Sequence, residues 1–273
     1  MKQYTLEHPV SIKGIGLHSG MEANLTINPA PANSGITFQR IDLEGKPQEK
    51  AIYSNIKDTR NSSSMSLVST VEHLMSALYM TGIDNALIEI DGPEIPIMDG
   101  SAKPFLGAFK DLNLIPQDVN RKILKIKENV SFADNKGNLI TLEPAEKLEI
   151  NFEINFPSPI VGNQKFSGDI SEEILSCRTF VEKQQVDYLQ SIGLIKGGSL
   201  ENAVVLDGNT LLNKEGWRCE NECVKHKVLD AIGDLYLSGY HIIGKLTANK
   251  TGHFHTNELL KLLFSNPNNY EVM

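Results

Sequence analysis

Two helical segments that lie far apart in the chain end in closely similar sequences, and this internal repeat constrains the fold most. The first segment runs from Val71 to Gly82 and the second from His226 to Gly239. When their terminal glycines are superimposed, Leu78-Tyr79-Met80-Thr81 aligns with Leu235-Tyr236-Leu237-Ser238. A glycine directly after an apolar, helix-periodic run is a typical helix C-terminus. The repeat therefore indicates two equivalent halves, each of which contributes one such helix.

The same superposition brings together three side chains of the kinds that zinc prefers. His73 aligns with Asp230, and His226 lies one helical turn before that carboxylate. Residues four apart share one helix face, so His226 and Asp230 can share a cation. Three protein ligands leave a position open for water, which is the arrangement of catalytic zinc sites. Zinc lowers the pKa of its bound water from ~15.7 to about 7, and Glu72, beside His73, is placed to take up the proton.

From the residues alone, alternatives to this catalytic metal site stay open. A histidine spaced four residues from an acid is more often a solvated or salt-bridged pair, and the two helix ends can match by chance. A rival metal site uses a stripe on the second helix, formed by Cys219, Cys223, His226 and Asp230. Because that stripe spans roughly 16 Å of axis at about 1.5 Å per residue, only neighbouring pairs can share an ion. Composition does not choose between His253 and His255 as a general acid.

Length and charge limit the classes of function. The chain has 273 residues, enough for two domains with cores of their own. Its 26 basic and 34 acidic residues give a net charge of −8, which argues against nucleic-acid binding through bulk electrostatics. No apolar run has the length of a membrane span, and no export signal is recognised at the N-terminus, so a cytoplasmic protein is expected. Three cysteines are too few for a disulfide framework, in agreement with a reducing compartment.

The order of strand and helix patterns predicts an α+β fold. Helices are expected at about 71–82, 103–112, 181–191, 219–237 and 256–264, and one of the strands near 64–68. Ser69 or Thr70 is the expected N-cap of the first helix. Meandering strands with a few helices are typical of two-layer α+β domains rather than of a doubly wound sheet. The repeat predicts a duplicated domain, with residues 1–118 and 121–273 as its two halves.

Several long motifs resemble one known enzyme family. They are Ser69-Thr70-Val71-Glu72-His73-Leu74, Gly82-Ile83-Asp84-Asn85, Glu94-Ile95-Pro96-Ile97-Met98-Asp99-Gly100-Ser101-Ala102, Arg178-Thr179-Phe180, Gly197-Gly198-Ser199, His226-Lys227-Val228-Leu229-Asp230-Ala231-Ile232-Gly233-Asp234-Leu235 and Gly252-His253. Together they resemble the zinc-dependent UDP-3-O-acyl-N-acetylglucosamine deacetylases, which catalyse the committed step of lipid A synthesis. The resemblance covers nearly the whole chain, in order. It implies two tandem, duplicated two-layer α/β sandwiches with small inserts, the active site between them, and a βαβ insert at about 177–206.

The resemblance also implies a role for each residue of the site. The implied zinc ligands are His73, His226 and Asp230. The implied catalytic residues are Glu72 as general base, His253 (rather than His255) as the acid that protonates the leaving amine, Asp234 as the group that orients this imidazole, and Thr179 as a hydroxyl that helps hold the oxyanion. One zinc ion per chain is implied, with iron(II) as a substitute.

Substrate contacts are implied as well. Lys227 and Lys250 match positions near the diphosphate, Phe156 lies near the uridine, and Phe180 lies at the acyl channel. Further residues of that channel are expected from the second insert: Val186, Leu194, Ile195, Leu200, Ala203 and Val205. Alternatively, these apolar residues form the core of a small βαβ unit and do not line a channel. The partner is a small UDP-acyl-sugar, with no nucleic acid and no transmembrane segment, and a monomer is expected.

The sequence thus predicts a zinc deacetylase that releases acetate from UDP-3-O-acyl-N-acetylglucosamine and leaves a free amine. One alternative is a zinc deacetylase of the same fold that acts on a different acylated amino sugar. Another is a catalytically silent protein that binds a sugar nucleotide or a lipid. The presence of Glu72, His253 and Asp234 beside all three ligands argues against silence, because binding alone needs no acid–base pair.

Overall fold

A computed structural model describes residues 1–110 and 112–273. The helices are α1 (Glu72–Thr81), α2 (Lys103–Lys110), α3 (Glu172–Leu175), α4 (Lys183–Ser191), α5 (Glu222–Tyr236) and α6 (His253–Ser265). The strands are β1 (Lys2–Leu6), β2 (Val10–Ile15), β3 (Glu22–Pro29), β4 (Ile36–Arg40), β5 (Gln48–Lys50), β6 (Ala86–Ile90), β7 (Leu114–Asn120), β8 (Ile123–Ile126), β9 (Val130–Ala133), β10 (Leu139–Glu143), β11 (Leu148–Asn155), β12 (Asn163–Gly168), β13 (Phe180–Glu182), β14 (Val204–Asp207), β15 (Thr210–Leu211), β16 (His241–Asn249) and β17 (Tyr270–Val272). Among the helices described, none combines the length and the apolarity that crossing a membrane requires.

The first half of the chain builds a five-stranded sheet in the order β2-β3-β6-β4-β5. Along its central strand β3, buried and more exposed residues alternate. Ala23, Leu25 and Ile27 are buried, and the residues between them are more exposed. Such a period of two is typical of a sheet with one face against the core. The neighbouring strand β6 contributes Ile88 and Ile90 to that core.

The second half builds a larger sheet in the order β12-β11-β16-β10-β9, which β8 and β17 extend from β16. Helix α6 packs on β9 and β10, and it also touches α5. Between these elements, β13, α4 and the parallel strand β14 form a small unit of their own. Strand β7 pairs with β1, so it ties the N-terminus to the segment that joins the two large sheets. The domain limits at 118 and 121 stay a prediction.

Helices α1 and α5 pack against each other, and a glycine permits their closest approach. A Cβ atom at Gly233 of α5 would lie 2.0 Å from the carbonyl oxygen of Glu72 and 2.9 Å from Oγ of Ser76. The same contact is fixed by the Ser76 hydroxyl, which donates to the carbonyl of Leu229 over 2.5 Å. Because the backbones approach so closely, the first turn of α1 lies directly beside the middle of α5. This helix pair positions the site described below.

The α+β class predicted from the sequence is confirmed, but the predicted N-cap of α1 and the predicted start of α5 are wrong. Neither Ser69 nor Thr70 caps α1: the N-cap position is Val71, without a side-chain cap. Thr70 adopts a φ of 59°, and its hydroxyl donates instead to Oε1 of the buried Glu94. Helix α5 begins at Glu222 rather than at Cys219, because Asn221 has a φ of 55°, which is incompatible with a continuous helix.

Three further boundaries also differ from the prediction. The strand expected at 64–68 is not formed; the fully described segment there makes only an isolated bridge between Ser64 and Asp58. Helix α4 begins at Lys183, because the two preceding residues pair with β14. Helix α6 begins at His253, three residues before its predicted start, so this imidazole lies in a helical first turn rather than in a loop.

Candidate metal and catalytic site

Three buried side chains from α1 and α5 converge on one point. The Nε2 atoms of His73 and His226 lie 3.5 Å and 3.4 Å from the same carboxylate oxygen, Oδ1 of Asp230. The ligand atoms of all three residues lie within 4.8 Å of one another. Each residue is 3–4% exposed. Helix α1 thus supplies one imidazole, and α5 supplies the second imidazole and the carboxylate.

This set of donors fits a divalent cation. Oδ1 of Asp230 is buried, yet it has no hydrogen-bond partner anywhere in residues 1–110 and 112–273. A buried carboxylate oxygen without a partner is costly, and a cation between it and two imidazoles would satisfy it. The outer atoms of two ligands are already engaged: Nδ1 of His226 donates to the carbonyl of Cys177 over 3.0 Å, and Lys227 donates to Oδ2 of Asp230 over 2.6 Å. Nδ1 of His73 has no such partner among the described residues. Such outer partners fix the orientation of ligands at metal sites.

Electrostatics keeps two of these ligands in their binding forms. Burial lowers the pKa of His226 to about 4, so its imidazole is neutral at physiological pH. Burial alone would raise the pKa of Asp230, but His226 and Lys227 outweigh it and hold that pKa well below the usual range. A neutral imidazole and an ionised carboxylate are the forms that bind metals.

Glu72 lies beside the three ligands as a buried carboxyl group. Burial raises its pKa above the ordinary value, and only 3% of the residue is exposed. Its Oε2 accepts a hydrogen bond from the backbone N–H of Ser63 over 3.0 Å. Its Oε1 lies 3.9 Å from Nε2 of His253. A carboxylate whose pKa is raised toward neutrality is suited to general-base catalysis.

His253 and Asp234 form a second pair on the same side of the site. The Nδ1–H of His253 donates to Oδ2 of Asp234 over 2.7 Å. Burial alone would lower the pKa of His253, but the carboxylates of Asp234 and Glu72 outweigh it and raise the pKa to about 9. The imidazole therefore carries two protons near neutral pH, and Nε2 presents one of them to the site.

Ser63 is a residue that the sequence did not reveal. Its hydroxyl donates to Oδ1 of Asp234 over 2.5 Å, and its backbone N–H holds Glu72. One residue therefore touches both members of the candidate acid–base machinery. The only sequence signal is a run of three serines shortly before α1, and such a run is common in loops.

The candidate site opens into a cavity of about 730 Å³. The residues that the sequence assigned to catalysis or binding and that line it are Glu72, His73, Phe156, Thr179, Phe180, His226, Lys227, Asp230, Lys250 and His253. Asp234 lies behind His253 and does not line the cavity. The backbone of Thr179 is fixed on both sides, since its N–H donates to the carbonyl of Gly100 and its carbonyl accepts from Val204.

The part of the cavity that is lined by the β13-α4-β14 unit, here called the apolar arm, is formed mainly by apolar side chains. The insert residues that line it include Val186, Leu189, Ile195, Leu200, Ala203 and Val205. The rings of Phe156 and Phe180, which also line the cavity, meet edge to face with centroids 5.0 Å apart. Leu194, which the sequence placed in this channel, is not among the residues that line the cavity.

The alternatives drawn from the cysteines and from His255 differ in their surroundings. His255 lines the same cavity as His253. The set His73, His226 and Asp230 is the only metal-binding cluster found within 1–110 and 112–273, and it contains no cysteine. Cys219 faces Cys177 instead, at 3.4 Å between the sulfur atoms. His255 is engaged in the fold, since its Nε2 lies 3.1 Å from a carboxylate oxygen of Asp134.

Similarity to known proteins gives the family of the chain. A family described as UDP-3-O-acyl N-acetylglycosamine deacetylase matches residues 3–265. Among similar curated proteins, one from Actinobacillus pleuropneumoniae serotype 3 is 43% identical over 286 residues, covering 100% of this chain and 93% of its own length. One from Helicobacter pylori strain J99 is 41% identical (100% and 95% covered), and one from Syntrophus aciditrophicus is 42% identical (98% and 88% covered). All three are named UDP-3-O-acyl-N-acetylglucosamine deacetylase. The chain therefore belongs to the UDP-3-O-acyl-N-acetylglucosamine deacetylase family.

Proposed function

We propose that this chain is a metal-dependent enzyme of lipid A synthesis that hydrolyses the N-acetyl group of UDP-3-O-acyl-N-acetylglucosamine, yielding acetate and a free amine. Family membership supports the activity. The observation that carries the site assignment is Oδ1 of Asp230, which has no hydrogen-bond partner among the described residues and faces two imidazole Nε2 atoms. A binding protein without activity would not need the buried acid–base groups Glu72 and His253 beside it.

The proposed cofactor is one zinc ion per chain, with iron(II) as a substitute. His73, His226 and Asp230 would hold it, since two imidazoles and a carboxylate suit either ion. When bound, such a cation polarises a carbonyl group and makes water a stronger acid.

The residues of the chain divide the proton transfers between them. Glu72 accepts the proton of the attacking water, for which its raised pKa suits it. His253 donates the proton on Nε2 to the departing amine nitrogen, while Asp234 holds the ring from behind. Thr179, on the wall of the cavity, directs its hydroxyl to the acetyl oxygen as negative charge develops there. The acid and the base lie 3.9 Å apart, so both reach one amide bond.

Ser63 serves in this scheme as a positioning residue. Its backbone N–H holds one oxygen of Glu72, which leaves the other directed toward His253. Its hydroxyl binds Asp234 on the oxygen that His253 does not use. Because both contacts come from one buried residue, the base and the acid keep a fixed spacing.

The lining of the cavity supports the proposed substrate contacts. The apolar arm between Phe180 and Val205 suits a 3-O-acyl chain, because burying its methylenes is worth about 0.8 kcal/mol each. Lys227 stays cationic: burial alone would lower its pKa, but Asp230 raises it. We assign Lys227 and Lys250 to the diphosphate and Phe156 to the uridine.

Two variants test the assignment through metal content and acetate release. Glu72→Ala should keep the metal and lose most of the rate, by about 10²–10⁴-fold, since it removes only the base. Asp230→Ala should lose metal on dialysis. Full activity in the first variant, or full metal occupancy in the second, would contradict these roles. Tight binding of the UDP-sugar by the wild type without acetate release would favour a silent binder, and release only from another acylated amino sugar would favour the related deacetylase.

A monomeric state and a cytoplasmic location belong to the same proposal. Light scattering of the purified protein and fractionation of cells that express the full chain test them. A stable dimer, or recovery outside the cytoplasm, would refute the respective prediction.

A further inference from the structure

Two of the three cysteines face each other close to the metal ligands. Sγ of Cys177 lies 3.4 Å from Sγ of Cys219, although 42 residues separate them in sequence. Cys223, which shares a helical stripe with Cys219 in the sequence, has no sulfur partner among the described residues and is buried in the core. The contact therefore joins the segment after α3 to the segment before α5.

We propose that Cys177 and Cys219 form a reversible dithiol–disulfide site that controls the orientation of the His226 imidazole. This inference rests on the proposed function only for its effect on the rate. The formation of the disulfide itself is independent of that function.

The positions of the two sulfurs suit such a bond. A disulfide has an S–S distance of about 2.05 Å, so the sulfurs need to approach by roughly 1.4 Å. Both cysteines lie between regular elements, Cys177 before β13 and Cys219 before α5. The movement must therefore strain only local hydrogen bonds, such as the one from the backbone N–H of Cys177 to the carbonyl of Ile174. Cys177 is fully buried, whereas Cys219 is partly exposed. An oxidant therefore reaches Cys219 first.

The reaction requires hydrogen peroxide as the oxidant. The sulfur of Cys219 attacks one peroxide oxygen, the O–O bond breaks, and a sulfenic acid and one water form. The sulfur of Cys177 then attacks the sulfur of Cys219, the S–O bond breaks, and a second water leaves. The two thiols together lose two electrons and two protons, and a small dithiol reverses the change. Burial raises the pKa of both thiols, which slows their oxidation, so the reaction needs an excess of hydrogen peroxide.

The pair is connected to the candidate metal site through the backbone of Cys177. Its carbonyl oxygen accepts the Nδ1–H of His226 at 3.0 Å. The next residue, Arg178, is fully buried and donates to Glu222 in the first turn of α5 over 2.8 Å. Moving Cys177 toward Cys219 therefore shifts the carbonyl oxygen that accepts the hydrogen bond from His226. Loss of such an outer partner typically costs 10–100-fold in metal affinity or activity.

The first test counts thiols in the metal-loaded, full-length protein. Treatment with hydrogen peroxide, stopped with catalase, should reduce the three titratable thiols to one. Peptide mass mapping should show a cross-link between Cys177 and Cys219 that dithiothreitol removes. The matched control Cys223→Ala should form the same cross-link. Cys219→Ser should keep both of its remaining thiols. Three surviving thiols in the wild type, or a cross-link that includes Cys223, would overturn the proposal.

The second test measures acetate release before and after oxidation. The oxidised wild type should lose roughly 10-fold in rate and recover it with dithiothreitol. Cys219→Ser should keep its rate under the same treatment. Full activity in a completely cross-linked sample would refute the control of His226. An absence of acetate release from the reduced wild type would instead refute the proposed function, because the cross-link is detected without any substrate.

Discussion

Gly233→Ala is the change that best tests how the helix pair builds the site. In an isolated helix this substitution is favourable, because alanine exceeds glycine in helix propensity by about 0.8–1.0 kcal/mol. In this fold the new Cβ atom would lie 2.0 Å from the carbonyl oxygen of Glu72 and 2.8 Å from its carbonyl carbon. Ordinary carbon contacts lie near 3.5–4.0 Å. The two helices must therefore separate by more than about 1 Å.

The steric cost should outweigh the gain in propensity. Overpacking typically costs 1–3 kcal/mol, and here the obstacle is backbone, which cannot rotate away, so we take ~3 kcal/mol. The net loss is about 2 kcal/mol, or a fall in Tm of roughly 4–8 °C for a domain of this size. Metal–ligand distances tolerate errors of about ±0.2 Å. Moving His73 by about 1 Å from Asp230 should therefore weaken metal binding by more than about tenfold.

Calorimetry and a competitive metal titration measure the two effects. Gly107→Ala in α2 is the matched control, because a Cβ atom at this exposed helical glycine meets nothing within 4 Å in the part of the chain that the structure describes. It should raise the stability by up to about 1 kcal/mol and leave metal affinity unchanged. If Gly233→Ala stabilised the protein as Gly107→Ala does, and bound metal like the wild type, the close packing of α1 on α5 would be refuted.

Two further predictions concern Ser63 and His241. Ser63→Ala should lower kcat about tenfold at an unchanged KM, because it removes a hydrogen bond to Asp234 without changing the lining of the cavity. Ser63→Thr keeps the hydroxyl and should restore kcat. If steady-state kinetics gave equal kcat values for Ser63→Ala and the wild type, Ser63 would not be a positioning residue. Burial, reinforced by Arg121, lowers the pKa of His241 to about 3, against ~6.5 in the unfolded chain. Between pH ~3 and ~6.5 the unfolded chain therefore binds one more proton than the folded chain. As a result, the free energy of unfolding falls by up to about 1.4 kcal/mol per pH unit as the pH drops from ~6.5 toward 3. His241→Phe keeps the stack on Tyr79 (4.5 Å between centroids), so urea unfolding should show a flatter acid limb; an unchanged slope would contradict the buried neutral imidazole.

The parts of the site that follow helical periodicity could be predicted from the sequence. The repeated helix ends and the spacing of His226 and Asp230 depend on local structure, and the fold brings His73 to them through α1. The start of α1 could not be predicted in the same way. Thr70 has the chemistry of an N-cap, but a tertiary contact with Glu94 uses its hydroxyl instead.

Features that depend on loop conformation were beyond the reach of pattern reasoning. Ser63 contacts Asp234 across 171 positions of sequence, and Cys177 contacts Cys219 across 42. Contacts between residues so far apart in sequence follow no helical or strand periodicity, so no sequence pattern predicts them. The stripe of Cys219 and Cys223 shows the opposite case, a periodic pattern that the fold does not realise. Asn221 has a left-handed backbone conformation, so α5 starts after it and Cys219 lies outside the helix.

The central claim is that α1 and α5 jointly hold one cation beside Glu72, and anomalous diffraction from zinc-loaded crystals tests it most directly. The account predicts one strong peak per chain at about 2.0–2.2 Å from Nε2 of His73, Nε2 of His226 and Oδ1 of Asp230. A zinc ion bound elsewhere, for example by Cys219 or His255, with these three side chains left uncoordinated, would contradict it.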